Sequence, residues 1–264
     1  MNKNIIWKKT CKHGPLVTAA IHDGHELRDE ISKMMILTED ARLREEDPFT
    51  GEWTKIGDTQ IIVSRSRFET DVNRPREKAV YQVPDDAWGL NMWSNELSEE
   101  MVAKSLSEYD AFYKEMFETY SNLEKEFGHL IIFDLHTYNH KRDGADGPEA
   151  DPETNPEVNI GTGTMNREKW SSLIDRFIAD LRNFNFNGRS LDVRENIKFK
   201  GGNFSRWTHD TFPKSACSIS IEFKKFFMDE WTGKPDVQQL GKIQQALEST
   251  IPGVLEELEK INNK

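Results

Sequence analysis

The chain has 264 residues, 36% of them hydrophobic and 31% charged, with a formal net charge of −11. That composition suits one large α/β domain and is neither disordered nor fibrous. An acidic surface repels phosphate backbones, which argues against a nucleic-acid partner. No run approaches the ~18 apolar residues of a membrane span, and MNKNIIWKKTCKHG lacks an apolar stretch of signal-peptide length. Cys11 and Cys217 are the only cysteines, too few and too far apart for a zinc finger or a disulfide framework. A cytoplasmic, reducing setting is expected; composition leaves the oligomeric state open.

Residues 1–14 are polar and lead into a buried strand, Leu16 to Ile21. The stripe Leu27, Ile31, Met34/Met35 and Leu37 predicts a helix over Glu26–Leu43. Asp47-Pro48-Phe49-Thr50-Gly51 is a loop, and Gln60–Val63 a second strand. Ser64 to Arg76 then packs four arginines, two acids and an Asn into thirteen residues. Charge pattern alone reads this equally well as a solvated loop. Pro84–Asn95 is a loop in which Trp88 and Trp93 either cover core or wall a pocket. Apolar residues from Met101 to Phe127 recur at steps of three and four, predicting a helix from Ser98 that Gly128 ends. Leu130–Leu135 is a third strand. Asn139–Thr164 is long, acidic and rich in Gly and Pro, a length that in a compact domain points to a site or a lid. A helix over Asn166–Leu181, a turn at Gly201-Gly202, a strand Ala216–Phe223 and a helical region Val237–Asn262 broken at Pro252-Gly253 complete the chain. With neither a repeat nor a linker, the expectation is a single domain over residues 1–264.

The chemistry gathers at strand ends. His22 and His25 follow the first strand in Ile21-His22-Asp23-Gly24-His25-Glu26, and His136 closes the third. Alone, an HxxH spacing is common. Three histidines at the ends of two neighbouring strands predict one zinc ion bound by His22, His25 and His136, with a coordination position left for water. Glu222 lies inside an apolar run, where a carboxylate costs several kcal/mol unless it is partnered or protonated. Beside a metal it becomes a general base; on an edge strand it would simply face water. Asp71 is placed to fix a histidine tautomer. Arg67 or Arg74 is placed to hold a carboxylate or an oxyanion.

These blocks together resemble the N-formylglutamate amidohydrolase family. The likeness rests on Ile21–Glu26, on Arg67-Phe68-Glu69-Thr70-Asp71-Val72-Asn73-Arg74-Pro75 and on Asp134-Leu135-His136-Thr137-Tyr138. Ala87-Trp88-Gly89-Leu90, Gly201-Gly202 and Ser220-x-Glu222 continue it in the same order, over roughly residues 15–230. The wider relatives are the zinc carboxypeptidases. The resemblance implies a three-layer α/β/α fold around a mixed, mostly parallel sheet. It implies His22 and His136 as metal ligands, with His25 where the carboxypeptidases have a glutamate; Glu26 competes for that place. Asp71 matches the acid behind a ligand, Asn73 and Arg74 the carboxylate binders, and Glu222 the base. Arg67 matches the oxyanion arginine by neighbourhood, with Arg65 as its rival. The implied reaction is hydrolysis of a small N-acyl amino acid, N-formyl-L-glutamate, to formate and glutamate. A zinc carboxypeptidase or peptidoglycan-type amidase is the alternative enzyme. A binding protein with a vestigial metal site is the alternative of another class.

Overall fold

The computed structural model describes residues 6–263; residues 1–5 of the polar N-terminal stretch lie outside them. The elements in chain order are β1 (Trp7–Cys11), β2 (Leu16–Ala20), α1 (Asp29–Ser32), α2 (Glu39–Glu45), α3 (Thr50–Trp53), β3 (Thr59–Val63), α4 (Glu99–Phe127), β4 (Leu130–Tyr138), β5 (Val158–Gly161), α5 (Ser171–Asn183), β6 (Val193–Glu195), α6 (Asn203–Thr211), β7 (Ala216–Lys224) and α7 (Val237–Asn262). The seven strands form one sheet in the order β1-β3-β2-β4-β7-β5-β6. Its centre, β3-β2-β4-β7, is parallel. The flanks reverse direction, with β1 antiparallel to β3 and β5 antiparallel to β7. This is the expected mixed, mostly parallel α/β/α arrangement.

The central strands are apolar on both faces because both faces are covered. Ile131, Phe133, Leu135, Ile219 and Ile221 pack against α5 and α7. Val17, Ala19, Leu130 and Ile132 pack against α4 and α6. A third apolar cluster, built on Ile31, Phe68, Tyr81 and Trp93, seals the loops beyond the C-terminal strand ends. Parallel strands end together, so β2, β4 and β7 deliver their following residues to one edge, where ligands collect in open α/β sheets.

Several elements match their sequence signals. Ser98 caps α4 by accepting from the Met101 amide at 3.3 Å, and Gly128 ends it at φ +76°. Others differ. The expected helix over Glu26–Leu43 is two short ones, α1 and α2. Met35 leaves the helical path to form a bridge with Trp93, and Thr38 starts α2 afresh by capping Ala41. The apolar stripe was real, but it packs into the third cluster without a continuous helix. The long 139–164 segment contains β5, whose apolar run was short enough to read as loop. Its hydrogen bonds come from β7 and β6, which local pattern does not report. β1 and β6 were not anticipated for the same reason; α6 was not anticipated either. α7 runs unbroken through Pro252. One missing amide bond is offset there by packing on α5, and Gly253 permits the approach, since a Cβ would collide with Asp180.

Gly24 sits where the loop after β2 crosses the end of β3, and a Cβ there would overlap the Ser64 carbonyl carbon and oxygen. Backbone cannot swing aside as a side chain can. Gly24→Ala should therefore destabilise the protein by about 1–3 kcal/mol in urea unfolding. Gly241→Ala, in an exposed turn of α7 with nothing near the added methyl, should stabilise it by roughly 0.5–1 kcal/mol.

Candidate metal centre and active site

His22 lies just past β2 and His136 near the end of β4, with ring centroids 5.0 Å apart. Each imidazole is tethered through Nε2 to a buried carboxylate: His22 to Asp71 Oδ1 at 2.7 Å, and His136 to Asp134 Oδ1 at 2.9 Å. A ring whose Nε2–H is donated to a carboxylate presents Nδ1 as its free lone pair. Both Nδ1 atoms face Asp47 Oδ2, at 3.3 Å from His22 and 3.0 Å from His136. Asp47 comes from the loop after α2. Its amide donates to the His22 carbonyl at 2.9 Å, and its Oδ1 accepts from the Thr137 hydroxyl at 2.9 Å. The next turn includes Phe49 at φ +72°, a left-handed conformation unusual for a bulky residue.

His22, Asp47 and His136 thus offer three ligand atoms, all within 4.8 Å of one another and all buried. Two further features fit a cation among them. His22 Nδ1 is buried without a hydrogen-bond partner. Four carboxylates, Asp47, Asp71, Asp134 and Glu222, crowd the two imidazoles. Burial alone would raise the Asp47 carboxyl, but the His136 ring at 3.0 Å and the neighbouring His22 ring outweigh it and hold it well below the usual range. Burial would lower His136, yet the charges of Asp134 and Glu222 push it well above an ordinary histidine. A divalent ion would supply positive charge among these acids.

His25 does not join this cluster. Its Nδ1 bonds Glu46 Oε2 at 2.5 Å and its Nε2 lies 2.9 Å from Arg42 Nη2. The three-histidine set expected from spacing is thus replaced by two histidines and an aspartate. The chain turns after Gly24, so a residue three positions beyond His22 points back to α2. Glu26 is exposed and forms a bridge with Arg65. Neither candidate for the third place reaches the site.

The other expected residues gather round a cavity of about 320 Å³. Glu222 stands beside His136 in the β4–β7 register and lines the cavity. Burial pushes its carboxyl up to about 8, against a downward pull from His136. Asp71 is fully buried behind His22, and its Oδ2 also accepts from Arg67 at 2.9 Å and from the Tyr81 hydroxyl. Arg67 lines the cavity with Trp88, whose ring centroid lies 4.9 Å from the guanidinium carbon. Arg65 faces away and forms a two-point pair with Glu108 at 3.0 and 3.1 Å. Arg74 reaches the cavity with its guanidinium nearly free; the closest acid oxygen is Asp71 Oδ2, 3.8 Å from Nε. Asn73 also lines the cavity, but its Oδ1 accepts from the Phe204 amide at the start of α6, leaving the Nδ2 donors. Trp88 walls the cavity mouth, whereas Trp93 is core and donates to the Tyr81 carbonyl at 2.9 Å.

A model of the family described as N-formylglutamate amidohydrolase matches residues 14–228. The chain belongs to that family. Its chemistry is hydrolysis of an amide. Two solved structures share the fold. The N-formylglutamate amidohydrolase from Ralstonia eutropha JMP134 has a TM-score of 0.71 at 16% identity, over 97% of this chain and 98% of that one. The gene product Atu2144 from Agrobacterium tumefaciens has a TM-score of 0.65 at 16% identity, over 95% of this chain and 96% of that one. No curated protein sequence matches. No described helix is long and apolar enough to cross a membrane.

Sequence reasoning missed Asp47, Asp134 and Tyr81. Asp134 was within reach, because Asp-x-His on a strand puts both side chains on one face. Asp47 was one acid among several in Arg44-Glu45-Glu46-Asp47, and nothing local distinguishes it. Behind Asp134, Ser205 of α6 donates to its Oδ2 at 2.9 Å and lies 2.9 Å from the Ser218 hydroxyl. The Ser218 amide in turn donates to His209 Nε2 at 3.0 Å.

Two outcomes follow from this layout. Asp47→Ala and His136→Ala should lose stoichiometric metal when dialysed against zinc or cobalt, whereas His25→Ala should keep it; elemental analysis of the dialysed proteins decides. His209 is buried neutral, and burial lowers its pKa from 6.5 to about 4. A depressed histidine contributes stability above the unfolded pKa and loses it as pH falls through the folded one. Urea unfolding should therefore show a loss approaching about 3 kcal/mol from this group between pH 7 and pH 4, reduced in His209→Gln.

Proposed function

We propose that the chain hydrolyses a small N-acyl amino acid, N-formyl-L-glutamate, to formate and glutamate, using one zinc ion held by His22, Asp47 and His136. The observation that carries the reading is the placement of Glu222: a partly buried carboxyl inside an apolar strand, in register with His136 and lining the same cavity. A zinc ion there would supply a Lewis acid for the acyl carbonyl and make water more acidic.

The side chains divide the remaining work. Glu222 takes a proton from the attacking water as its oxygen bonds to the formyl carbon. When the carbon–nitrogen bond breaks, Glu222 returns that proton to the leaving amine. A carboxylate within reach of both the attacking water and the leaving nitrogen suits both transfers. Arg67, held by Asp71 and shielded by Trp88, places fixed positive charge beside the developing oxyanion. Arg74 and the Nδ2 donors of Asn73 grip the α-carboxylate. Tyr109 and Tyr113 steady this grip by donating to the Arg74 and Val72 carbonyls at 2.9 and 2.6 Å. Asp71 joins the two halves, since it orients His22 with one oxygen and Arg67 with the other. A cavity of about 320 Å³ suits a small ligand better than a peptide.

Formate release from N-formyl-L-glutamate tests the reading. Glu222→Gln should lower kcat by roughly 10²- to 10⁴-fold with metal content unchanged. Full turnover in that variant would remove Glu222 from the role. Arg74→Met should act chiefly on KM, by about 10- to 100-fold, as loss of a charged hydrogen bond to substrate predicts.

A further inference from the structure

The two carboxylates that aim the ligand histidines are held differently. Asp71 accepts from His22, from Arg67, from the Tyr81 hydroxyl and from the Asn73 amide at 2.8 Å. Losing one of these donors leaves three. Asp134 is fully buried, and among the described residues its side chain has two partners: His136 Nε2 on Oδ1 and the Ser205 hydroxyl on Oδ2, each at 2.9 Å. No neighbour duplicates Ser205. Ser220 stands beside Asp134 in the β4–β7 register, yet its buried hydroxyl has no hydrogen-bond partner. Ser205 has a single proton and gives it to Asp134. The Ser218 hydroxyl, 2.9 Å away, therefore donates to the Ser205 oxygen. Both serines are fully buried. The result is a directed chain from Ser218 through Ser205 and Asp134 to the His136 ring. Ser205 itself is set by the start of α6, whose Phe204 and Asn203 amides donate to Asn73 Oδ1 at 2.9 Å and to the Asn73 carbonyl at 3.2 Å.

We propose that Ser205 is a positioning residue for the metal centre: through Asp134 it sets the plane of the His136 ring and so the direction of Nδ1. This rests on the reading of His22, Asp47 and His136 as a zinc site. Without the hydroxyl, one oxygen of a buried carboxylate has no donor and Asp134 can pivot about its remaining bond to His136. The ion then loses a ligand whose direction was fixed in advance. A role confined to helix stability gives a different signature. The first turn of α6 docks on Asn73, which the proposed reaction uses to hold the substrate carboxylate. General loosening of α6 would therefore weaken substrate binding, whereas loss of the Ser205 hydroxyl alone acts on the metal.

Zinc affinity is measured by competition with a chromophoric chelator, and the cobalt form is followed by its visible spectrum. Ser205→Ala, checked for native circular dichroism, should bind zinc about 10- to 100-fold more weakly, the range for loss of an outer partner of a metal ligand. Its cobalt spectrum should shift. Ser205→Cys keeps the side chain's shape with a much weaker donor, and reads the same loss where Ser205→Ala does not fold. Thr208→Val is the control for helix damage. Thr208 is equally buried in α6, but its hydroxyl bonds the Phe204 carbonyl of its own helix at 2.9 Å, so this variant should bind zinc as wild type does. At saturating zinc, KM for N-formyl-L-glutamate in Ser205→Ala should match wild type. Unchanged zinc affinity in the folded Ser205 variants overturns the proposal, as does an equal loss in Thr208→Val. A wild-type protein that binds no zinc removes the metal centre itself and the proposal with it.

Discussion

The site depends on two imidazoles held by their far nitrogens. Asp71 grips Nε2 of His22 and Asp134 grips Nε2 of His136. Each bond fixes a tautomer and a ring plane, and so aims Nδ1 at a common point. Asp47 meets that point from a third direction. The carboxylates that aim the ligands also charge the pocket negatively, which makes a cation its natural occupant.

The fold provides this convergence by ending four parallel strands along one edge. β2 and β4 each deliver a histidine, β7 delivers Glu222, and β3 feeds the loop that carries Arg67, Asp71 and Arg74. Helices α4 and α6 then brace that loop from outside. Tyr109 and Tyr113 of α4 hold its carbonyls, and the first turn of α6 is capped by Asn73. Asp71 transmits any movement of this brace to both His22 and Arg67. One carboxylate thus ties the Arg67 loop to the His22 ring.

Charge is unevenly shared. The chain carries −11 overall, yet Arg44, Arg67, Arg74, Arg142 and Lys225 line its cavity. The acidic surface repels anions, whereas this opening attracts them.

Sequence by itself determined the elements whose signal is local. The helix Glu99–Phe127 announced itself through a long apolar period between a serine cap and a glycine stop. The central strands did so through apolar runs, and His22, His136, Asp71, Arg74 and Glu222 through polar residues at strand ends and a recognisable order of motifs. Tertiary structure alone brought Asp47 between the two histidines. Asp47 lies 25 positions after His22 and 89 before His136, and only the His22 carbonyl, Thr137 and the turn at Phe49 bring it in. His25 looked better because spacing along a chain is visible, whereas the direction of a loop after Gly24 is not. The same limit hid the split of α1 from α2: it depends on atoms distant in the chain, and no local pattern encodes where those atoms will stand.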